Sequence, residues 1–193
     1  MLTAMPDMLD DLHQQRLPAP VVLDRADVPP DTWAGLLADG HYRWLTDRYA
    51  LRADVTEDVE HRARALPGPL PAKAVVARRS AAWVHVGGQA PARLDLVVPP
   101  GRRVDPHVDR CCTEAPLGPT DVVMLGGYPV TSPTRTLFDL VFAPGAGAWW
   151  PVLVALCDTG ADAGHALAAV GRQRGARQAR GLLRDLAEPG FTP

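Results

Sequence analysis

The densest chemical constellation in this sequence is Thr131-Ser132-Pro133-Thr134-Arg135-Thr136-Leu137-Phe138-Asp139-Leu140. Ser132 is a strong N-cap, and Pro133 suits the first helical position because its missing N–H costs nothing there. Arg135 and Asp139, four residues apart, can pair on one helix face. An arginine and threonine hydroxyls at a helix N-terminus can also hold a phosphate or a carboxylate, which makes Thr134 and Arg135 candidates for an anion contact. The structural alternative is a capped helix whose Leu137, Leu140 and Val141 pack on a sheet. A second run reads Arg78-Arg79-Ser80-Ala81-Ala82-Trp83-Val84-His85. Its small residues let another backbone approach closely, and Trp83 supplies a large anchor. Ser80 and His85 are five residues apart, on poorly matched helix faces, and no Gly-x-Ser-x-Gly elbow surrounds the serine. A hydrolase or phosphotransferase built on Ser80, Arg135 and nearby acids therefore lacks the base or metal site that would complete it.

The C-terminal segment offers a different kind of chemistry. Ala179, Leu182, Leu183 and Leu186 recur at helical spacing as an apolar stripe, while Arg177, Arg180 and Arg184 follow on an adjoining face, with Arg172 and Arg174 just before them. Such a face is either solvated charge near a helix end or a surface for anions and acidic partners. The histidines and cysteines have no metal-ligand spacing. Gly87-Gly88 and Gly126-Gly127 lack the context of a phosphate-binding loop and read as turns. The expectation is a protein with no catalytic residue, no metal and no cofactor.

The chain that must position these groups has 193 residues, 47% hydrophobic and 22% charged, which is the composition of an ordinary folded protein. Its 20 basic and 22 acidic residues give a net charge of −2, so any nucleic-acid contact must come from local patches. Residues 1–55 carry nine aspartates against five arginines and form the acidic segment. All the basic residues except Lys73 are arginines, a bias that fits a GC-rich genome. Cys111, Cys112 and Cys157 make no disulfide framework, the N-terminus lacks a signal-peptide pattern, and no apolar run reaches 18 residues. These features predict a cytoplasmic protein without membrane contact.

Short helices are predicted over 7–16 and 33–39, the second stopped by Gly40, and a two-stranded hairpin over 41–52. Short helices followed by a hairpin are the layout of a winged helix-turn-helix. Thr56 is the expected cap of the next helix, which Pro67-Gly68-Pro69 ends. A helix over 78–86 precedes strands at 94–98 and 104–112, then a hairpin over 121–131. From 132 onward the chain reads as helical, over 132–142, 149–158 and 163–187, the last broken near 171–175. The fold class is α+β, with a small winged helix-turn-helix ahead of a mixed α/β region that ends in helices.

In motif order the chain resembles the AbiEi-type antitoxins, from the small winged domain through Arg-Arg-Ser-Ala-Ala-Trp-Val-His and Gly-Gly-Tyr-Pro-Val-Thr-Ser-Pro-Thr-Arg-Thr-Leu-Phe-Asp-Leu to the helical tail. The match is firmest over 75–141. The resemblance implies two domains, a degenerate winged helix-turn-helix at 1–55 and an antitoxin domain at 56–193. It implies an antitoxin that neutralises a nucleotidyltransferase-like toxin and represses its own operon by binding operator DNA. The alternative is a winged-helix transcriptional repressor without a toxin partner. The predicted helix over 33–39 and its start carry Asp31 and Asp39 but no base, so the DNA-binding candidates are Thr32 and the hairpin arginines Arg43, Arg48 and Arg52. The neutralising candidates are Arg78, Arg79, Ser80, Thr134, Arg135, Arg177, Arg180 and Arg184.

Overall fold

The computed structural model describes residues 19–102 and 107–188. The fold is α+β, with two sheets. The N-terminal unit begins with β1 (Val22–Asp24), followed by one turn of 3-10 helix over Arg25–Asp27, α1 (Pro30–Ala38), β2 (Tyr42–Trp44) and β3 (Tyr49–Arg52). Proline at the first position starts α1, and Gly40, at φ 71°, ends it in a left-handed conformation that a side chain would disfavour. The strands lie in the order β1-β3-β2, all antiparallel, with Leu23 opposite Ala50 and Arg43 opposite Leu51. Leu23, Trp33, Tyr42 and Ala50 form a small core between sheet and helix. The helix expected over 33–39 and the hairpin expected over 41–52 are both present. The helix expected over 7–16 lies outside the described residues, and a single 3-10 turn separates β1 from α1.

The larger body starts at α2 (Val59–Arg64). Its cap is Asp58, whose carboxylate accepts the His61 N–H at 2.9 Å, rather than the expected Thr56. Aspartate is the stronger cap, and its position sets the start of the helix. Next come β4 (Val75–Val76), α3 (Arg78–Val86), β5 (Leu94–Val98), β6 (Arg110–Glu114), β7 (Val122–Leu125) and β8 (Tyr128–Thr131). They build a mixed sheet in the order β6-β5-β4-β8-β7, with β5 and β6 parallel, β4 and β8 parallel, and the β7–β8 hairpin antiparallel. The strand expected over 104–112 begins later, at Arg110, with residues 107–109 outside it. Residues 103–106 are not described. In β5 all five residues are buried, Asp95 included.

Four helices complete the body: α4 (Pro133–Val141), α5 (Trp150–Asp158), α6 (Ala163–Ala168) and α7 (Ala176–Ala187). The break expected near 171–175 falls between α6 and α7. Residues 80–85 of α3 are buried without interruption, which makes it the central helix. One side, with Trp83 and Val84, joins the sheet core of Val76, Leu96 and Val130. The other, through Ala82, meets Leu137, Leu140, Leu153 and Leu183 of the helical layer. Full burial of each such leucine stabilises the fold by about 2 kcal/mol relative to exposure. Of the small run at 80–82, Ala82 faces the helical layer, Ala81 the sheet core and Ser80 the strand β5.

Candidate functional site

Each hairpin arginine proposed for DNA is paired within the chain. Arg48 forks onto Asp24, with its Nε 2.9 Å from both carboxylate oxygens and Nη2 at 2.6 Å. That guanidinium, above all, holds the Asp24 carboxyl below its ordinary range. Arg43 meets Glu57 at 3.3 Å and the Val55 carbonyl at 3.1 Å. Arg52 meets Asp54 at 2.6 Å and donates to the Ala19 carbonyl at 3.2 Å. Thr32 is exposed on α1, beside the exposed Asp31. Only the Arg52–Asp54 spacing is visible in the sequence; Asp24 and Glu57 come from neighbouring elements brought up by the fold.

Glu57 has a second partner that sequence reasoning missed. Arg62, 9% exposed, donates from Nη1 to Glu57 at 3.0 Å, from Nε to the Val84 carbonyl at 2.8 Å and from Nη2 to the His85 carbonyl at 3.1 Å. The guanidinium satisfies two carbonyls at the C-terminal end of α3, where positive charge is favoured by the helix dipole. Glu57 thereby joins the hairpin arginine Arg43 to the centre of the body. Nothing in the local sequence around residue 62 points to this role, because its two carbonyl acceptors lie more than twenty residues away.

The motifs that looked most chemical are chiefly structural. Ser80 is fully buried and its Oγ accepts the Asp95 N–H at 2.9 Å, so it presents no surface to a partner. Arg79 pairs with the buried Asp95 at 3.0 Å, although half of its side chain stays exposed. Arg78 opens α3 in a left-handed conformation, φ 51°, which is strained for a non-glycine residue. The Thr134 hydroxyl accepts the Asp162 N–H at 2.9 Å and ties α4 to the start of α6. Arg135 pairs with Asp139 at 3.0 Å and Asp121 at 3.1 Å, and donates to the Pro116 carbonyl at 2.9 Å. Burial pushes the Asp139 carboxyl above its usual range, against the pull of Arg135 and Arg78.

The His85 imidazole contacts the Thr131 carbonyl through Nε2 at 2.7 Å, and burial lowers its pKa. Ser80 and His85 are thus engaged by separate backbone groups and do not form a nucleophile–base pair. The hairpin turn is equally structural: the Gly126 N–H donates to Glu60 at 2.7 Å. A Cβ there would lie 2.8 Å from both the Ala63 Cβ and the Arg64 N. Among the described residues no group of three or more His, Cys, Asp or Glu is arranged to hold a metal ion. None of the described helices is long and apolar enough to cross a membrane.

The C-terminal arginines differ from all of these. Ala176, Ala179 and Leu183 bury one stripe of α7 in the helical layer. Arg177 and Arg184 are exposed, as are Arg172 and Arg174 in the preceding loop, and none of the four has a hydrogen-bond or carboxylate partner among the described residues. Arg180 is the exception in its stripe. It donates to the Val170 carbonyl at 3.1 Å and the Gly171 carbonyl at 2.7 Å, and so holds the turn between α6 and α7. The result is a helix, buried along one stripe, that presents unpaired guanidinium groups at Arg177 and Arg184.

No protein-family model matches the chain, and no curated protein matches it. Among solved structures, it is similar to one described as the crystal structure of the RV2827C protein from Mycobacterium tuberculosis. The identity is 19%, covering 94% of this chain and 76% of that one, with a TM-score of 0.48.

Proposed function

We propose that this chain is an antitoxin of the AbiEi type, a non-enzymatic cytoplasmic protein that neutralises a nucleotidyltransferase-like toxin by binding it. The observation that carries this reading is the state of the α7 arginines. Arg177 and Arg184 are exposed and unpaired on a helix whose other side is buried. Polymerase-type nucleotidyltransferases gather carboxylates to hold metal and nucleotide, and planar guanidinium groups suit bidentate pairing with carboxylates. Desolvation offsets much of the Coulomb gain, so these contacts act more on association rate and specificity than on affinity.

The reading assigns different roles to the other arginines first considered as toxin contacts. Arg135 and Arg180 shape the surface from within, while Arg79 keeps an exposed edge beside Asp95. Operator binding is a secondary expectation. It would use Arg43, Arg48 and Arg52 and would require their present carboxylate partners to give way to phosphates.

The reading predicts a gene for a nucleotidyltransferase-like protein beside that of this chain, and the test is co-expression of the full chain with its product. Restored growth together with a co-purifying complex is the expected result. Unrelieved toxicity and no complex, with the chain folded, would contradict the reading.

A further inference from the structure

A groove of about 650 Å³ runs between the N-terminal unit and the body. One wall is the β2–β3 turn, residues 44–49, and the other is the loop 88–92 that leaves α3. Leu66, Trp83 and Leu94, each nearly inaccessible, lie beneath. The volume falls in the range of pockets that hold small molecules or a few residues of peptide.

Two features of the lining restrict what can occupy it. The first is Trp44, 55% exposed, where the other large apolar residues lining the groove are largely covered. Trp33 meets its ring edge-on, with centroids 5.5 Å apart, which orients an exposed aromatic face rather than leaving it free to swing. The second is charge. Asp47 and Asp109 both line the groove. Asp47 has no partner among the described residues. The Asp109 carboxylate, 72% exposed, has the His107 imidazole 3.6 Å away and no arginine or lysine partner among the described residues. The one cation in the lining, Arg48, is already forked onto Asp24. A phosphate-bearing ligand would meet two carboxylates and no free cation.

A cation over an aromatic face, with carboxylates at the rim, fits both features. Arg48 shows the geometry within the same groove, with its guanidinium 5.3 Å from the centre of the Tyr49 ring. We propose that the groove is a docking site for a basic segment of a protein partner, a short extended stretch that lays an arginine or lysine side chain on Trp44 between Asp47 and Asp109. A segment seated there touches both units and fixes their relative position. The proposal concerns a surface separate from α7 and holds whether or not the partner is a toxin.

The test is isothermal titration calorimetry of the full chain with the acetylated, amidated peptide Leu-Arg-Leu-Arg. The controls are the peptide with glutamate in place of arginine, and uridine monophosphate. The arginine peptide should bind, more weakly as salt rises, and the controls should not. Asp47→Asn with Asp109→Asn, two exposed positions whose change leaves the fold intact, should weaken binding about tenfold, and Trp44→Ala by a similar factor. Absence of arginine-peptide binding at millimolar concentration, or affinity unchanged in the double Asn variant, would overturn the proposal. Tighter binding of uridine monophosphate than of the peptide would also overturn it, in favour of a nucleobase-stacking site.

Discussion

The β2–β3 hairpin and the segment from Arg172 to Arg184 are both rich in arginine, yet their charges are in opposite states. In the hairpin Arg43, Arg48 and Arg52 each close on a carboxylate within the chain, leaving the exposed Asp27, Asp31, Asp39 and Asp47, against the exposed Arg25, as unpaired charge of the unit. In and before α7, four guanidinium groups stand without a carboxylate among the described residues. The hairpin lies between elements whose acids reach its arginines, whereas in the helical layer Asp139 is taken by Arg135 and Asp162 caps α6, and neither pairs with an α7 arginine. Which arginines are available to a partner is therefore decided by the acids the fold brings to them, and a count of positive charges does not reveal it.

Glu57 is where that comparison breaks most easily, since one carboxylate serves Arg43 of the hairpin and the buried Arg62 of the body. Glu57→Ala leaves Arg62 buried without its counterion and should cost about 2 kcal/mol of stability, read as a lowered midpoint in urea. The same change frees Arg43, so the hairpin should gain retention on immobilised heparin and come to behave more like α7. A smaller effect is expected from Arg43→Ala, Arg48→Ala and Arg52→Ala combined. These pairs are solvent-exposed, and their loss should cost about 1 kcal/mol in total. Arg177→Ala with Arg184→Ala should move the midpoint by less than about 0.5 kcal/mol, because no intramolecular partner is lost.

Acidification acts on the body side of the same joint. The folded pKa of His85 lies below its unfolded value, so the unfolded chain takes up the proton first. Stability is complete above the ordinary imidazole range near pH 6.5 and falls as the pH drops through it. His85→Gln, which can still donate to the Thr131 carbonyl, should flatten the urea midpoint between pH 7 and 5.

Much of the frame was legible before any coordinates. The β7–β8 hairpin, the Ser132 cap with Pro133 behind it, the Arg135–Asp139 pair and the break before α7 all follow from local spacing, and local spacing is what a sequence displays. What stayed hidden depends on distance along the chain. Asp95 reads as the outward residue of an alternating strand, and it is buried because Arg79 covers it from α3. Arg62 reads as a surface helix residue, and it is buried because α3 ends above it. The hairpin arginines read as free for the same reason, since Asp24 and Glu57 reach them from other elements. At α7 the apolar stripe and the exposed arginines were both visible, and only the inward role of Arg180 was not.

The central claim is that the partner meets the arginines of α7 and not those of the hairpin. It is tested most directly by the association rate of the full chain with the nucleotidyltransferase-like toxin that the proposed function requires, measured for two variants of intact fold. Arg177→Glu with Arg184→Glu should slow association at least tenfold and abolish rescue of growth, while the hairpin triple alanine variant should remain within about twofold of the parent. Unchanged association in the α7 variant, with loss in the hairpin variant, would contradict the account.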